Sequence, residues 1–448
     1  MSIPGGNSYR WKDGIGPKEL RPRRPELAWG SEESNQFGTD EFIRWCRDAS
    51  VEPYICLNMG TRALEDALDW VEYCNGTGNT YWANKRRENS GAHAPYNVKY
   101  WGLGNEMYGP WAINNLTAEE CTRKAQQWAH ALKLVDPSIT LISSGQNGYN
   151  LWDATLLQGL AKFVTRSKRR KDYERRVFGT EAAEKGVQIT RSLIELARIE
   201  NGPEKTNPIK ISFDEWDHGT RRRNVWMFVA PVFRLIRVLR QEHYDLTDCL
   251  AMASWFNVFI RNAGIIAMAN NTELANAITP ILTAPNQLLK QTTFYPYYLF
   301  STHMRRAIDS PSLSLDVHVD SPSYAGETLP TWIGGLRGDR SHIRTPRCKW
   351  IDTSAVFISS SEGAKIVVNR HLMAGANVDI NLMGYTGGRE YAIYSIYHPS
   401  IDATNTFENP NVVTVNETRC NWEKAKDKIR VVVKEHSFVK LVMPVKQL

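Results

Sequence analysis

Between about residue 40 and residue 300, short apolar runs of strand length alternate with stretches whose apolar residues recur every three or four positions. That alternation constrains the fold more than any other feature. The runs are residues 52–60 (EPYICLNMG), 98–104 (VKYWGLG), 140–144 (TLISS) and 209–213 (IKISF), and the helical stretches are 39–50, 63–75, 117–135 and 184–201. Thr117 stands three residues before Glu120, the spacing of a capping box, and Asp136-Pro137 closes the same helix. Parallel strands need long crossovers, usually helical, so the pattern predicts a parallel sheet, either doubly wound or closed into a barrel.

Past about residue 310 the texture changes. Residues 354–359, 364–369, 376–382, 390–397, 412–416, 429–434 and 437–443 are β-rich runs punctuated by Gly, Asn, Asp and Pro, which predicts an antiparallel sandwich. Pro311, Pro322 and Pro330 mark the junction, giving an expected catalytic barrel-type domain over 1–308 and a C-terminal β-sandwich over 309–448. With 42% hydrophobic and 23% charged residues, a packed core is expected rather than disorder. The net charge of +7 is too dilute over 448 residues to argue for a nucleic-acid partner.

No apolar run reaches the ~20 residues of a membrane-spanning helix, and the opening MSIPGGNSYRWKDG lacks the apolar stretch of a signal peptide. The expectation is therefore a cytoplasmic protein with no membrane partner. Seven cysteines, an odd number without a Cys-x-x-Cys pair, fit reduced thiols. The ten histidines show no metal-ligand spacing, so neither a metal nor another cofactor is expected.

Two acids stand out by position. VKYWGLGNE runs up to Glu106, and IKISFDEW carries Glu215 near its end. On a parallel sheet both would lie at the carboxyl ends of their strands, the face where barrel and open-sheet sites gather. Two carboxylates there can divide the work of glycoside cleavage, one giving a proton to the leaving oxygen and the other attacking the anomeric carbon. A retaining enzyme holds them about 5–5.5 Å apart and an inverting one ~6.5–9.5 Å. Asn105 offers an amide for a sugar hydroxyl, and Trp216 a flat wall for the sugar's CH face. The bland alternative for each glutamate is a strand end facing water.

These residues belong to a longer set. PGGN at 4–7, WKDGIGP at 11–17, ESNQFGTDEF at 33–42, YWGLGNEMYGPW at 100–111, ISFDEW, LLKQTTFYP at 288–296 and NTFENP at 405–410 together resemble the α-L-arabinofuranosidases of glycoside hydrolase family 51, fungal intracellular type. The resemblance implies a (β/α)₈ TIM barrel joined to an antiparallel β-sandwich. It also implies a retaining enzyme that releases terminal α-L-arabinofuranosyl residues from arabinan, arabinoxylan or arabino-oligosaccharides. Carried over residue by residue, it makes Glu106 the acid/base at the end of the fourth strand and Glu215 the nucleophile at the end of the seventh. Asn105 would hold the sugar 2-hydroxyl, and Asn7 and Gln291 match positions that contact the sugar. Homo-oligomers are expected by the same likeness.

The set also departs from the family. The first barrel strand has no counterpart before PGGN, so the barrel is expected to be incomplete and the chain truncated at its N-terminus. The run TRSKRRKDYERR (165–176) stands where the sixth strand should be and is too charged for a buried strand. It reads as a solvated helix face or loop, or as a phosphate-binding or nuclear-import patch. After FDEW the family's Asn-Val-Trp becomes Asp217-His218-Gly219, and residues 270–273 are more polar than the usual eighth strand. Two other readings stand beside the enzyme: an inactive relative that at most binds arabinose-containing glycans, and another barrel glycosidase acting on pyranosides.

Overall fold

A computed structural model of the protein describes residues 8–27, 31–110, 112–146, 151–160, 177–202, 208–216, 243–271, 274–276, 279–304, 348–359, 362–381, 385–387, 390–421 and 428–447, with short pieces at 313–315, 318, 320–323, 330–331 and 343–344. A small hairpin, β1 (Arg24–Glu26) with β2 (Ser31–Glu33), precedes helix α1 (Thr39–Asp48). Three parallel strands follow, β3 (Tyr54–Leu57), β4 (Tyr100–Leu103) and β5 (Thr140–Ser143), hydrogen-bonded in that order with Tyr54, Tyr100 and Thr140 in register. Their crossovers are helices α2 (Leu64–Asn75) and α3 (Tyr81–Ser90) before β4, and α4 (Ala118–Val135) before β5.

The capping box at α4 forms as expected: the Glu120 amide donates to Thr117 Oγ1 at 3.3 Å, and the Thr117 amide donates to Glu120 Oε2 at 2.8 Å. Two helices, α5 (Leu151–Leu160) and α6 (Gly179–Asn201), lead to a second parallel pair. This is β6 (Ile211–Trp216) with β7 (Ile266–Asn271), joined through α7 (Leu246–Arg261). A hairpin, β8 (Ile281–Ala284) with β9 (Gln287–Lys290), then leads into α8 (Phe294–Met304).

The remainder is antiparallel. Strands β10 (Leu313–Leu315), β13 (Ile351–Ser359), β14 (Glu362–Asn369), β20 (Ser437–Gln447), β17 (Glu390–Ile396) and β18 (Asn416–Asn421) lie side by side in that order, with β16 (Tyr385–Gly387) also on β20. A two-residue pair, β11 (Pro330–Thr331) with β12 (Ile343–Arg344), stands apart from it, as does β15 (Ala376–Asn381) with β19 (Lys428–Val433). Ile380, Ile429, Val431 and Val433 of the β15–β19 pair share one apolar core with Val367, Val439 and Leu441 of the larger sheet, so the two layers pack face to face.

Two sequence expectations are corrected. Of the expected strand 412–416, residues 412–415 are a loop: the Val413 amide donates to Asn405 Oδ1 at 2.8 Å and its carbonyl accepts from Asn405 Nδ2 at 3.0 Å, so one asparagine takes the place of a neighbouring strand. The strand begins at Asn416. Strand β4 stops at Leu103, three residues short of Glu106. The helices at 246–261 and 294–304 carry no clear period because their faces are covered by both halves. Leu246 and Leu250 of α7 and Leu299 and Phe300 of α8 pack with Val368, Ile396 and Phe438 of the antiparallel sheet, so a single core crosses the 308/309 division.

Ion pairs fasten the same seam. Arg261, at the end of α7, donates to Asp352 Oδ1 on β13 at 2.8 Å and to Glu184 Oε2 on α6 at 2.7 Å, and Asn257 donates to Asp352 Oδ2 at 2.9 Å. Burial alone would push the Asp352 carboxyl up. The guanidiniums of Arg261 and Arg370 and the Asn257 hydrogen bond outweigh that and hold it below its ordinary value. On the N-terminal side the core is aromatic: Trp11 stacks on Trp70 at 5.6 Å, and Trp101 meets the edge of Trp70 at 6.1 Å.

Candidate active site

The carboxyl ends of β3, β4 and β5 converge. Gly104 turns the chain out of β4 with φ +77°, a conformation open to glycine, and Glu106 itself lies at φ +45°. A side chain other than glycine is uncommon in that left-handed region, and such outliers gather at functional sites. The turn is closed by the Gly109 amide donating to the Glu106 carbonyl at 2.8 Å, and it is anchored to β5 by the Met107 amide donating to Ser144 Oγ at 3.2 Å. Glu106 is half-buried, and its Oε1 accepts a hydrogen bond from the Tyr108 hydroxyl at 3.2 Å.

The ring of Tyr108 stands edge-on to Trp152 at 6.0 Å, and Trp152 donates through Nε1 to the Ser144 carbonyl at 3.3 Å. An acid with one oxygen held and an aromatic wall beside it suits proton delivery to a sugar oxygen. Asn105 is half-buried in the same turn. Sequence reasoning passed over Tyr108 and Trp152, although Tyr108 lies inside the YWGLGNEMYGPW motif.

Glu215 lies on β6, parallel to β7, and its backbone falls where the register of the pair shifts between Asp214 and Trp216. The Glu215 and Trp216 side chains are outside the description, as are Asn7, Asp217 and the basic run 165–176. Next to Glu215, Asp214 is well defined. Its Oδ1 accepts from Ser212 Oγ at 2.6 Å and from Asn270 Nδ2 on β7 at 2.7 Å, and its Oδ2 accepts from Tyr54 Oη on β3 at 3.4 Å. The last bond joins the two groups of parallel strands, bringing the strand of Glu215 up to the sheet whose central strand leads to Glu106.

Gln291 is fully buried, and both ends of its amide are engaged by backbone: Oε1 accepts from the Tyr244 amide at 2.9 Å, and Nε2 donates to the Thr279 carbonyl at 2.7 Å. Among the described residues no group of three or more His, Cys, Asp and Glu side chains could hold a metal ion. None of the described helices is long and apolar enough to cross a membrane.

Two family models match the chain, the α-L-arabinofuranosidase 1 domain over residues 1–176 and the α-L-arabinofuranosidase C-terminal domain over 214–437. The second begins at Asp214, inside the parallel part. An α-L-arabinofuranosidase C from Emericella nidulans is 41% identical over 427 residues, covering 90% of this chain and 79% of that protein. An intracellular exo-α-(1→5)-L-arabinofuranosidase from Halalkalibacterium halodurans is 28% identical over 90% of this chain and 79% of its own length. Among solved structures, the arabinose complex of the Thermotoga maritima α-L-arabinofuranosidase superposes with a TM-score of 0.82 at 30% identity, covering 98% of this chain and 85% of that one.

Proposed function

This chain belongs to the α-L-arabinofuranosidases of glycoside hydrolase family 51, and on that premise we propose that it releases terminal α-L-arabinofuranosyl groups from arabinan, arabinoxylan or their oligosaccharides by double displacement. In this reading the parallel strands belong to a (β/α)₈ barrel and the antiparallel layers to a sandwich. What supports it is that Glu106 stands in the turn after β4 and Glu215 near the end of β6, with the Tyr54–Asp214 bond tying the two strand groups together.

Glu106 gives its proton to the departing oxygen, while Glu215, ionised, attacks the anomeric carbon and forms a glycosyl ester. Once that charge is covalently spent, Glu106 withdraws a proton from water, which then breaks the ester with net retention. Asn105 and Asn7 hydrogen-bond the sugar, strengthening as charge develops on the ring, and Trp216 walls it. Gln291 is carried over from the resemblance as a sugar-contacting position; with both ends of its buried amide tied to backbone, its part here is to shape the loop the sugar meets. The reaction needs no cofactor. The H. halodurans relative supports a cytoplasmic site of action, and homo-oligomeric assembly completes the reading.

The test is hydrolysis of 4-nitrophenyl α-L-arabinofuranoside by Glu215→Ala with and without azide. Loss of turnover by about 10⁴ or more, with a β-configured arabinofuranosyl azide formed on rescue, is expected for the nucleophile. Turnover close to that of the unaltered chain removes Glu215 from the mechanism.

A further inference from the structure

We propose that Asp214 is a positioning residue for Glu215, held by a hydrogen-bond cluster from three strands that fixes the irregular end of β6. The inference rests on the reading of Glu215 as nucleophile. Along β6, Phe213 faces α7, with its ring 5.5 Å from Trp255 and 5.4 Å from Phe259. Ser212 and Asp214 share the opposite face, where Asp214 accepts from both Ser212 and Tyr54. Side chains alternate along a regular strand, so strict alternation would put Glu215 on the face of Phe213, toward the helices.

The register shift between Asp214 and Trp216 interrupts that alternation at Glu215. Such an irregularity can re-aim a side chain, which is one reason bulges recur beside active sites. An irregular strand end has lost part of its ladder and needs other bonds to settle in one geometry. Asp214 supplies them, accepting from Ser212 on its own strand, from Asn270 on β7 and from Tyr54 on β3. Asn270 thereby acquires a purpose: the polar residue at the end of β7 is the donor that the carboxylate of the neighbouring strand requires.

Gly102 on β4 leaves room for the third donor. A Cβ there would sit 2.9 Å from Tyr54 Oη, 3.1 Å from its Cε2 and 3.3 Å from Cys56 Sγ, so the tyrosine reaches Asp214 across a position that has no side chain. Three strands are therefore coupled at one carboxylate adjacent to Glu215, and β4 leaves the room for it.

The experiment labels the full chain with an epoxide analogue of α-L-arabinofuranose that alkylates a glycosidase nucleophile, and follows the adduct by peptide mass spectrometry. The unaltered chain is expected to carry the label on Glu215. Asn270→Asp keeps the shape but replaces the donor with a second carboxyl facing Asp214, and should slow the maximal labelling rate by about tenfold or more, the order of one hydrogen bond to a charged group, with the half-saturating concentration little changed. Tyr54→Phe keeps the ring over Gly102 and loses only the hydroxyl. It should slow labelling about threefold, in keeping with its longer bond, and it preserves the test if Asn270→Asp does not fold.

Labelling of both variants on Glu215 at the unaltered rate overturns the positioning role and leaves the nucleophile reading intact. A melting temperature that falls while the maximal rate stays constant also overturns it, because the cluster would then be purely structural. Label on another residue, or none on the unaltered chain, overturns the nucleophile reading, and this proposal falls with it.

Discussion

At the end of β4 the chain leaves its strand, turns within three residues and presents Glu106 from a left-handed backbone, whereas at the end of β6 the glutamate lies within the strand, at a place where pairing slips by a residue. The first arrangement is mostly local: a glycine at φ +77°, a turn closed by Gly109 and a side-chain bond from Tyr108 two residues away. The second is assembled from afar, through Asn270 56 residues later and Tyr54 160 residues earlier. It is also backed by α7, which Arg261 and Asn257 pin to β13 through Asp352. The Glu106 end thus belongs to the N-terminal aromatic core, and the Glu215 end depends on the antiparallel half. The two should fail under different substitutions.

The largest difference is expected from the glutamates themselves. On the proposed roles, Glu215→Ala would remove the attacking group, whereas Glu106→Ala would leave a chain that can still be glycosylated by a substrate whose leaving group needs no proton. With 4-nitrophenyl α-L-arabinofuranoside the second variant should lose about 10²–10⁴ in kcat, with KM falling as the ester accumulates, and azide should restore its rate. Equal losses with no response to azide in either variant would erase the division of roles.

Next comes the seam. Asp352→Asn breaks a buried pair and should cost about 3 kcal/mol, at the lower end for such pairs because Arg261 keeps Glu184. The folded carboxyl lies below its ordinary 3.8, so its stabilisation is complete above that value and is lost as pH falls through the depressed one. Urea unfolding between pH 7 and pH 3 should therefore show a shallower acid decline for the variant than for the unaltered chain. If the comparison holds, the variant slows labelling at Glu215 while the backbone around Glu106 keeps its hydrogen-exchange protection.

Smaller again is Gly104→Ala. It forces φ +77° on a residue with a Cβ and brings that atom to 2.7 Å from Cγ of the fully buried Met107, so the cost is at least about 1–2 kcal/mol, from backbone strain alone. Its effect should fall on the proton-transfer step, seen as a kcat loss that grows as the leaving group becomes more basic. Tyr108→Phe should be the mildest. Loss of one hydrogen bond to Glu106 is worth about 1 kcal/mol, or roughly fivefold in kcat, with the melting temperature nearly unchanged.

What the sequence made legible follows this same division between local and distant causes. The strand runs at 52–60, 98–104 and 140–144, the caps of α4 and the location of both glutamates near strand ends were readable because each is written in consecutive residues. The period of α7 was hidden because its residues from Leu246 to Trp255 are buried all round. The run at 412–416 looked like a strand because it is rich in β-branched residues, yet the group that satisfies buried Val413 is Asn405, eight residues away, and nothing in the run itself announces it. Asp214 went unremarked beside Glu215 for the same reason. Its importance lies in donors from β3 and β7, and only folding brings those into range.

A crystal structure of the chain with arabinose bound measures the relation between the two acids directly. The account predicts the carboxyl groups of Glu106 and Glu215 about 5–5.5 Å apart on either side of the anomeric carbon. A separation beyond about 10 Å, or carboxyls at opposite ends of the parallel strands, would contradict it.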